Sequence, residues 1–212
     1  VWAMLVWGSR VSIIFAFGAS LLSLLVGIVL GALSGYIGGW LDDLMCRIFE
    51  LFYIIPRTFL VILMVAFFGS SISLMVIIVG LTIWPSNAKI MRAQVLTLKR
   101  RGYVQAADVA GGSKLGILFR HIVPNGMGPV LSNSVLQMAQ AVLTEASLSF
   151  LGLGDPNQAS WGLILNAGQR NISTAPWLVI APGVALALLL LAFNLIGTAL
   201  HRTLNVKQAV ME

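Results

Sequence analysis

The chain has 212 residues, 58% of them apolar and only 9% charged, with a net charge of +6 and a mean hydropathy of +0.95. Soluble domains carry roughly 25% charged residues, so the composition argues against a water-soluble fold, and it holds too much apolar surface for a disordered one. The lone Cys46 can form neither an internal disulfide nor a multi-cysteine metal site.

A helix needs about 20 mostly apolar residues to cross a bilayer core, and five runs qualify as candidates. Residues 11–33 contain no charge. Residues 51–68 are interrupted by Pro56 and Arg57. Residues 72–91 carry Pro85 near their end. Residues 127–148 are less apolar and hold Glu145 near the far end, and residues 177–200 are the clearest run. Five spans put the two chain ends on opposite sides. Arg47, Lys89, Arg92, Lys99, Arg100, Arg101, Lys114, Arg120, Arg202 and Lys207 then share one side, against Arg10 and Arg170 on the other. That imbalance makes the side holding residues 87–124 and the C-terminus cytoplasmic. Topology accounts for the basic charge, and nucleic acid is not an expected partner. On this arrangement Val1 lies outside, with no Met and no signal-peptide start, so a further upstream span is expected.

The charged stretch 89–124 carries the information. The run 94–101 has no breaker, and Gly102 is expected to end it. A small-residue helix from Tyr103 then stops at Gly111 and Gly112. After it, Leu115, Leu118, Phe119 and Ile122 stand at i, i+3, i+4 and i+7, one apolar helical face. Such a helix can lie on lipid, pack under the protein's own spans, or fill a groove in a soluble partner. Two glycines permit a sharp turn, which suits a projecting double helix and a partner.

Gln105-Ala106-Ala107, Gly111 and then His121-Ile122-Val123-Pro124 resemble the EAA loop of ABC-importer permeases. Gln105 replaces the family's Glu, and His121 and Val123 replace its Ile and Leu. Gly35-Tyr-Ile-Gly-Gly-Trp-Leu-Asp-Asp43 and Glu145-Ala-Ser-Leu-Ser-Phe-Leu-Gly-Leu-Gly154, with Ser160-Trp161-Gly162 after it, are similar to the dipeptide/oligopeptide (DppC/OppC-like) branch. The resemblance covers nearly the whole chain. It implies an all-α, polytopic transmembrane bundle of the type I importer permease (MetI-like) fold, with five spans here and the family's first span absent. It implies one permease domain over 1–212 with a coupling loop at 102–125. Gln105, Ala106, Ala107, Gly111, Leu115, Leu118, Phe119, His121 and Pro124 would meet the ATPase.

The implied partners are a second related permease, two cytoplasmic ATPases and an extracytoplasmic substrate-binding protein, all at the inner membrane of a bacterium or archaeon. ATP and Mg would be used by the ATPases, with no cofactor and no catalytic residue in this chain. Gly111-Gly-Ser-Lys114 lacks the spacing of a phosphate loop. A self-contained secondary transporter or channel is the alternative.

Other polar residues carry open readings. Asn133, Gln137, Gln140 and Thr144 form a stripe along one helix face; it either lines a translocation path or bonds neighbouring helices. Glu145 extends that set, as a structural partner of the external Gly-rich segment or as a proton-coupling group. His121 and His201 lack neighbours at metal-ligand spacing. Asp42 and Asp43 are expected to solvate a cytoplasmic turn, and the six Trp to anchor span ends at the membrane interface.

Overall fold

The computed structural model describes residues 2–210, with side chains through Leu204; the Lys207 side chain, counted above among the cytoplasmic charges, lies outside the described residues. Among the described residues every regular element is helical.

The bundle is organised around α1 (Trp2–Ile37) and α4 (Ile72–Leu98), which pack along one another. Their contact is a stripe of small residues on α1, Ser23, Gly27, Gly31 and Gly35, spaced four apart. A Cβ on Gly27 would sit 2.5 Å from the Cβ of Asn87, one on Gly35 2.8 Å from the Arg92 carbonyl oxygen, and one on Gly31 would run into the Ala88 backbone. In lipid no hydrophobic force drives helices together, so association depends on backbones approaching closely enough to pack, which this spacing permits.

Helix α7 (Val123–Phe150) lies against α1 and α4, and α9 (Trp177–Val210) covers the other side of α7. Between α1 and α4 in the chain, α2 (Gly39–Ile54) and α3 (Arg57–Phe68) meet at an 85° bend. The cause is Pro56: a proline donates no backbone hydrogen bond and pushes its predecessor out of the helical region, and Ile55 is extended at φ −76°, ψ 124°. At the end of the bundle where α7 finishes, α8 (Trp161–Gln169) is wedged against α7 and α9. Phe17, Leu21 and Leu25 on α1 and Leu188, Leu191 and Leu195 on α9 point outward, as side chains facing hydrocarbon do.

Among the described residues three helices, α1, α4 and α9, are long and apolar enough to cross a membrane, or up to four if the bent α2–α3 pair is one crossing. The expected run 127–148 lies inside α7, which is not among them, because its Ser, Asn and Gln residues lower its hydropathy. Two other expectations are corrected. Helix α4 stops at Leu98, and Gly102 opens the next helix instead of ending the previous one. Trp84 and Trp161 are buried: Trp84 packs edge-on against Phe49 and Phe52, and Trp161 donates its indole N–H to the Leu5 carbonyl at 2.9 Å. Trp2, Trp7, Trp40 and Trp177 are exposed, as interface anchors would be.

Candidate coupling surface and polar seam

Between α4 and α7 the chain forms a double turn: α5 (Gly102–Val109), α6 (Lys114–Ile117) and a π-helical turn over Leu118–Ile122. Gly111, at φ 80°, ends α5. Its N–H bonds the Asp108 carbonyl and the Gly112 N–H bonds the Ala107 carbonyl, the paired closure that needs a left-handed residue at this position. Ser113 then caps α6, its hydroxyl accepting from the Gly116 N–H at 3.2 Å. Local turn chemistry thus closes one helix and starts the next within four residues.

The expected apolar face does not stay together. Leu118 and Ile122 are fully buried and Ile117 is 2% exposed, packed with Val104 against Ile28, Ala32, Met91 and Val95. Leu115 and Phe119 are 60% and 43% exposed. The reason is the π turn: the Val123 N–H bonds the Leu118 carbonyl, an i→i+5 step that adds about one residue to the turn and rotates the next stretch of helix. Pro124 comes next and cannot donate to the Arg120 carbonyl, and the Asn125 side chain donates to the His121 carbonyl at 2.6 Å.

The other expected loop residues fall on the outer surface. Gln105, Ala106, Gly111 and Pro124 are exposed, and Ala107 and His121 are half-buried. Val109 and Tyr103 add two more exposed apolar side chains. Partial burial pushes the Tyr103 phenol up from its ordinary value, with Arg101 acting the other way. The ring therefore remains neutral.

Above the double turn, Asp42 does not solvate a turn as expected. The Arg92 guanidinium donates to both of its carboxylate oxygens, at 2.5 and 2.6 Å, and the Ser34 hydroxyl donates to Oδ1 at 2.5 Å. Lys99 donates to the Gly35 carbonyl at 3.0 Å alongside. Asp43 is exposed.

The polar stripe divides as well. Asn87, fully buried, is the hub of a seam joining α1, α4 and α7. Its amide donates to Ser23 Oγ at 3.0 Å and to the Gln137 side-chain oxygen at 2.9 Å; its oxygen accepts from Asn133 at 2.8 Å and from Ser134 at 3.3 Å. Ser23 also donates to Gln137, at 2.9 Å, and Gln137 donates to the Ile83 carbonyl at 3.1 Å. Asn133 and Gln137 therefore face other helices. Gln140 is exposed and Thr144 half-buried, its hydroxyl returned to the Gln140 carbonyl at 2.8 Å. Ser147 continues that open face.

Glu145 points elsewhere. It is 2% exposed and is met by hydroxyls of three elements: Ser149 on its own helix at 2.7 Å, Ser12 of α1 at 3.3 Å, and Ser160 from the segment before α8. Among the described residues no three His, Cys, Asp or Glu side chains converge to hold a metal. His121 and His201 lie apart, in the double turn and near the end of α9.

The residues that sequence reasoning passed over are Asn87, Ser23, Ser12 and the Asp42–Arg92 pair. A lone Asn inside an apolar run was the available signal for the first. The others depend on which helices touch.

The comparisons with known proteins agree with this architecture. Residues 27–207 match the family model described as binding-protein-dependent transport system inner membrane component. The chain belongs to that family. It is 39% identical over 201 residues to the oligopeptide transport system permease protein OppC of Haemophilus influenzae, covering 94% of this chain and 65% of the relative. It is 36% identical to OppC of Bacillus subtilis, covering 94% of this chain and 66% of the relative. The dipeptide permease DppC of Alkalihalophilus pseudofirmus is 34% identical, with coverage of 98% and 68%. The chain thus spans about two thirds of the length of these curated relatives. In fold it is similar to a chain of the inward-facing MetNI methionine ABC transporter, with a TM-score of 0.67, 19% identity and coverage of 95% and 96%. The resemblance read from the Ala106-Ala107, Gly111 and Pro124 spacing is borne out.

Proposed function

We propose that this chain is a permease subunit of an ATP-binding-cassette importer for peptides, forming half of the substrate path and coupling ATP hydrolysis in separate subunits to uptake. Its working partners would be a second permease, two cytoplasmic ATPases that use ATP and Mg, and an extracytoplasmic substrate-binding protein. The names of the relatives support this reading over a self-contained transporter or channel.

In this reading the chain crosses the membrane five times, by α1, the bent α2–α3 pair, α4, α7 and α9, with the double turn and the end of α9 cytoplasmic. Support for α7 as a crossing comes from its polar groups: Asn133, Ser134 and Gln137 are satisfied by protein, so a hydropathy sum counts against α7 groups that lipid would not meet. The translocation path runs along the open face of α7, at Gln140, Thr144 and Ser147, rather than at the bonded Asn133 and Gln137.

The single observation carrying the coupling role is the split at the π turn. Leu118 and Ile122 fasten the double turn under the bundle, while Leu115 and Phe119 are left bare on it. Two exposed apolar side chains one turn apart are the anchors expected of a helix that enters a hydrophobic groove. The test is Leu115→Asp and Phe119→Asp in a chain co-expressed with its ATPases. The expected result is an unchanged melting temperature in detergent with ATPase co-purification lost. Intact association and intact substrate-stimulated hydrolysis in both variants would refute the assignment.

A further inference from the structure

The last turns of α4 carry two attachments on different faces. Met91 and Val95 are fully buried against the double turn, in contact with its Val104, Ile117, Leu118 and Ile122. Arg92, one residue after Met91, leaves that face and holds Asp42 in the first turn of α2 by two bonds of 2.5 and 2.6 Å. The pair is partly shielded, with side-chain exposures of 29% and 14%. Further along, α2 touches α4 again through Phe49 and Phe52 against Trp84, at ring distances of 5.5 and 5.6 Å.

These two attachments differ in kind. Edge-on ring contacts tolerate sliding and tilting. A forked guanidinium–carboxylate contact fixes both distance and orientation, and Ser34 of α1 holds the carboxylate in place from a third helix. Beyond α2 the chain turns through 85° into α3, so a displacement imposed at Asp42 acts on both arms of the bend.

We propose that Asp42 and Arg92 are positioning residues for coupling: the joint through which a displacement of the double turn is passed, by way of the end of α4, to α2 and α3. The inference rests on the reading of the double turn as the ATPase contact. It adds a path for the motion and assigns a role to two residues 50 positions apart.

The experiment uses the full importer, with both permeases, ATPases and binding protein, in proteoliposomes. Asp42→Asn, Arg92→Gln, the double variant and Arg92→Lys are each read for ATPase co-purification, basal hydrolysis, stimulation of hydrolysis by loaded binding protein, and uptake of labelled peptides. The expected outcome is unchanged co-purification and basal hydrolysis throughout. Stimulation and uptake fall about tenfold in each single variant and no further in the double, because residues that act as one unit do not add. Arg92→Lys, which keeps the charge and loses the fork, falls between.

Three results would overturn the joint. They are unchanged stimulation and uptake in both single variants, losses that multiply in the double, and a loss of assembly that tracks the melting temperature in every variant. The last would make the pair a clamp for stability alone. Failure of the underlying reading has its own signature, intact ATPase association in Leu115→Asp and Phe119→Asp, and it overturns both.

Discussion

Asn87 donates to the Gln137 side-chain oxygen at 2.9 Å, and Gln137 donates back to the Ile83 carbonyl, one turn earlier on the helix that carries Asn87. The two side chains close a loop of hydrogen bonds between α4 and α7, with Ser23 of α1 bonded to both. A polar group buried away from water is expensive unless it is bonded, and here each amide is satisfied by a different helix. The seam therefore fixes which faces of α1, α4 and α7 meet, where close-packed apolar side chains alone would tolerate a rotation.

Replacing the hub should be costly. Asn87→Leu removes its four bonds to Ser23, Gln137, Asn133 and Ser134, and each hydrogen bond lost from the seam costs about 0.5–1.5 kcal/mol. The expected result is a lower melting temperature in detergent and a broadened size-exclusion peak. A melt equal to that of the unaltered protein would mean that the partners re-pair among themselves.

Gln137 and Gln140 should behave differently despite their shared stripe. Gln137→Leu is expected to lower stability, because it removes three bonds from the seam. Gln140→Leu and Ser147→Leu should leave stability alone and reduce uptake of labelled peptide several-fold. Normal uptake in both would remove the open face of α7 from the translocation path.

Close approach of α1 and α4 makes Gly31 intolerant. Gly31→Val puts branched carbon where the Ala88 backbone lies, and neither helix can yield without losing the contacts on either side. Yield of monodisperse protein should collapse. Gly183→Ala, where an added Cβ meets nothing within 4 Å, is the control and should be silent.

Gly111→Val tests the turn instead of the packing. At φ 80° a branched side chain is strained, at a cost on the order of 1–2 kcal/mol. Space is open around it, so the spans should assemble normally while the double turn loses its closure. Proteolysis between residues 109 and 114 should quicken, and ATPase association should weaken. Equal proteolysis rates would show that the turn is held by its neighbours.

Glu145 should separate shape from hydrogen bonding. Glu145→Gln keeps a polar group among Ser12, Ser149 and Ser160, whereas Glu145→Leu leaves three hydroxyls facing hydrocarbon. Limited proteolysis of the segment 151–160 is expected to quicken in the Leu variant and to change little in the Gln variant. Identical digestion patterns would show that the Trp161–Leu5 bond is enough to hold that segment.

Much of this architecture can be read from the chain because hydropathy is a sum over composition. Runs 11–33, 72–91 and 177–200 reappear inside α1, α4 and α9. The same summing obscures α7, since Asn133 lowers the score equally whether it faces lipid or Asn87. The double turn is legible for a different reason: Gly111, Gly112 and Ser113 act within a few residues of one another. Legibility ends where contacts are remote. Asp42 and Arg92 carry no shared local pattern, and only the packing of α1, α2 and α4 reveals that they meet, with Ser34 bonded to the same carboxylate. The single apolar face expected at 115–122 failed because a fixed helical period was assumed through a turn that Pro124 helps to widen.

That widened turn makes the double turn sensitive to residue count as well as residue type. Deleting one position within 118–122 would restore ordinary winding and swing the preceding stretch by about 100°, the angle of one residue in an α-helix. A deletion at 120 or 121 would thus leave Leu115 and Phe119 in place but out of phase with the bundle beneath them.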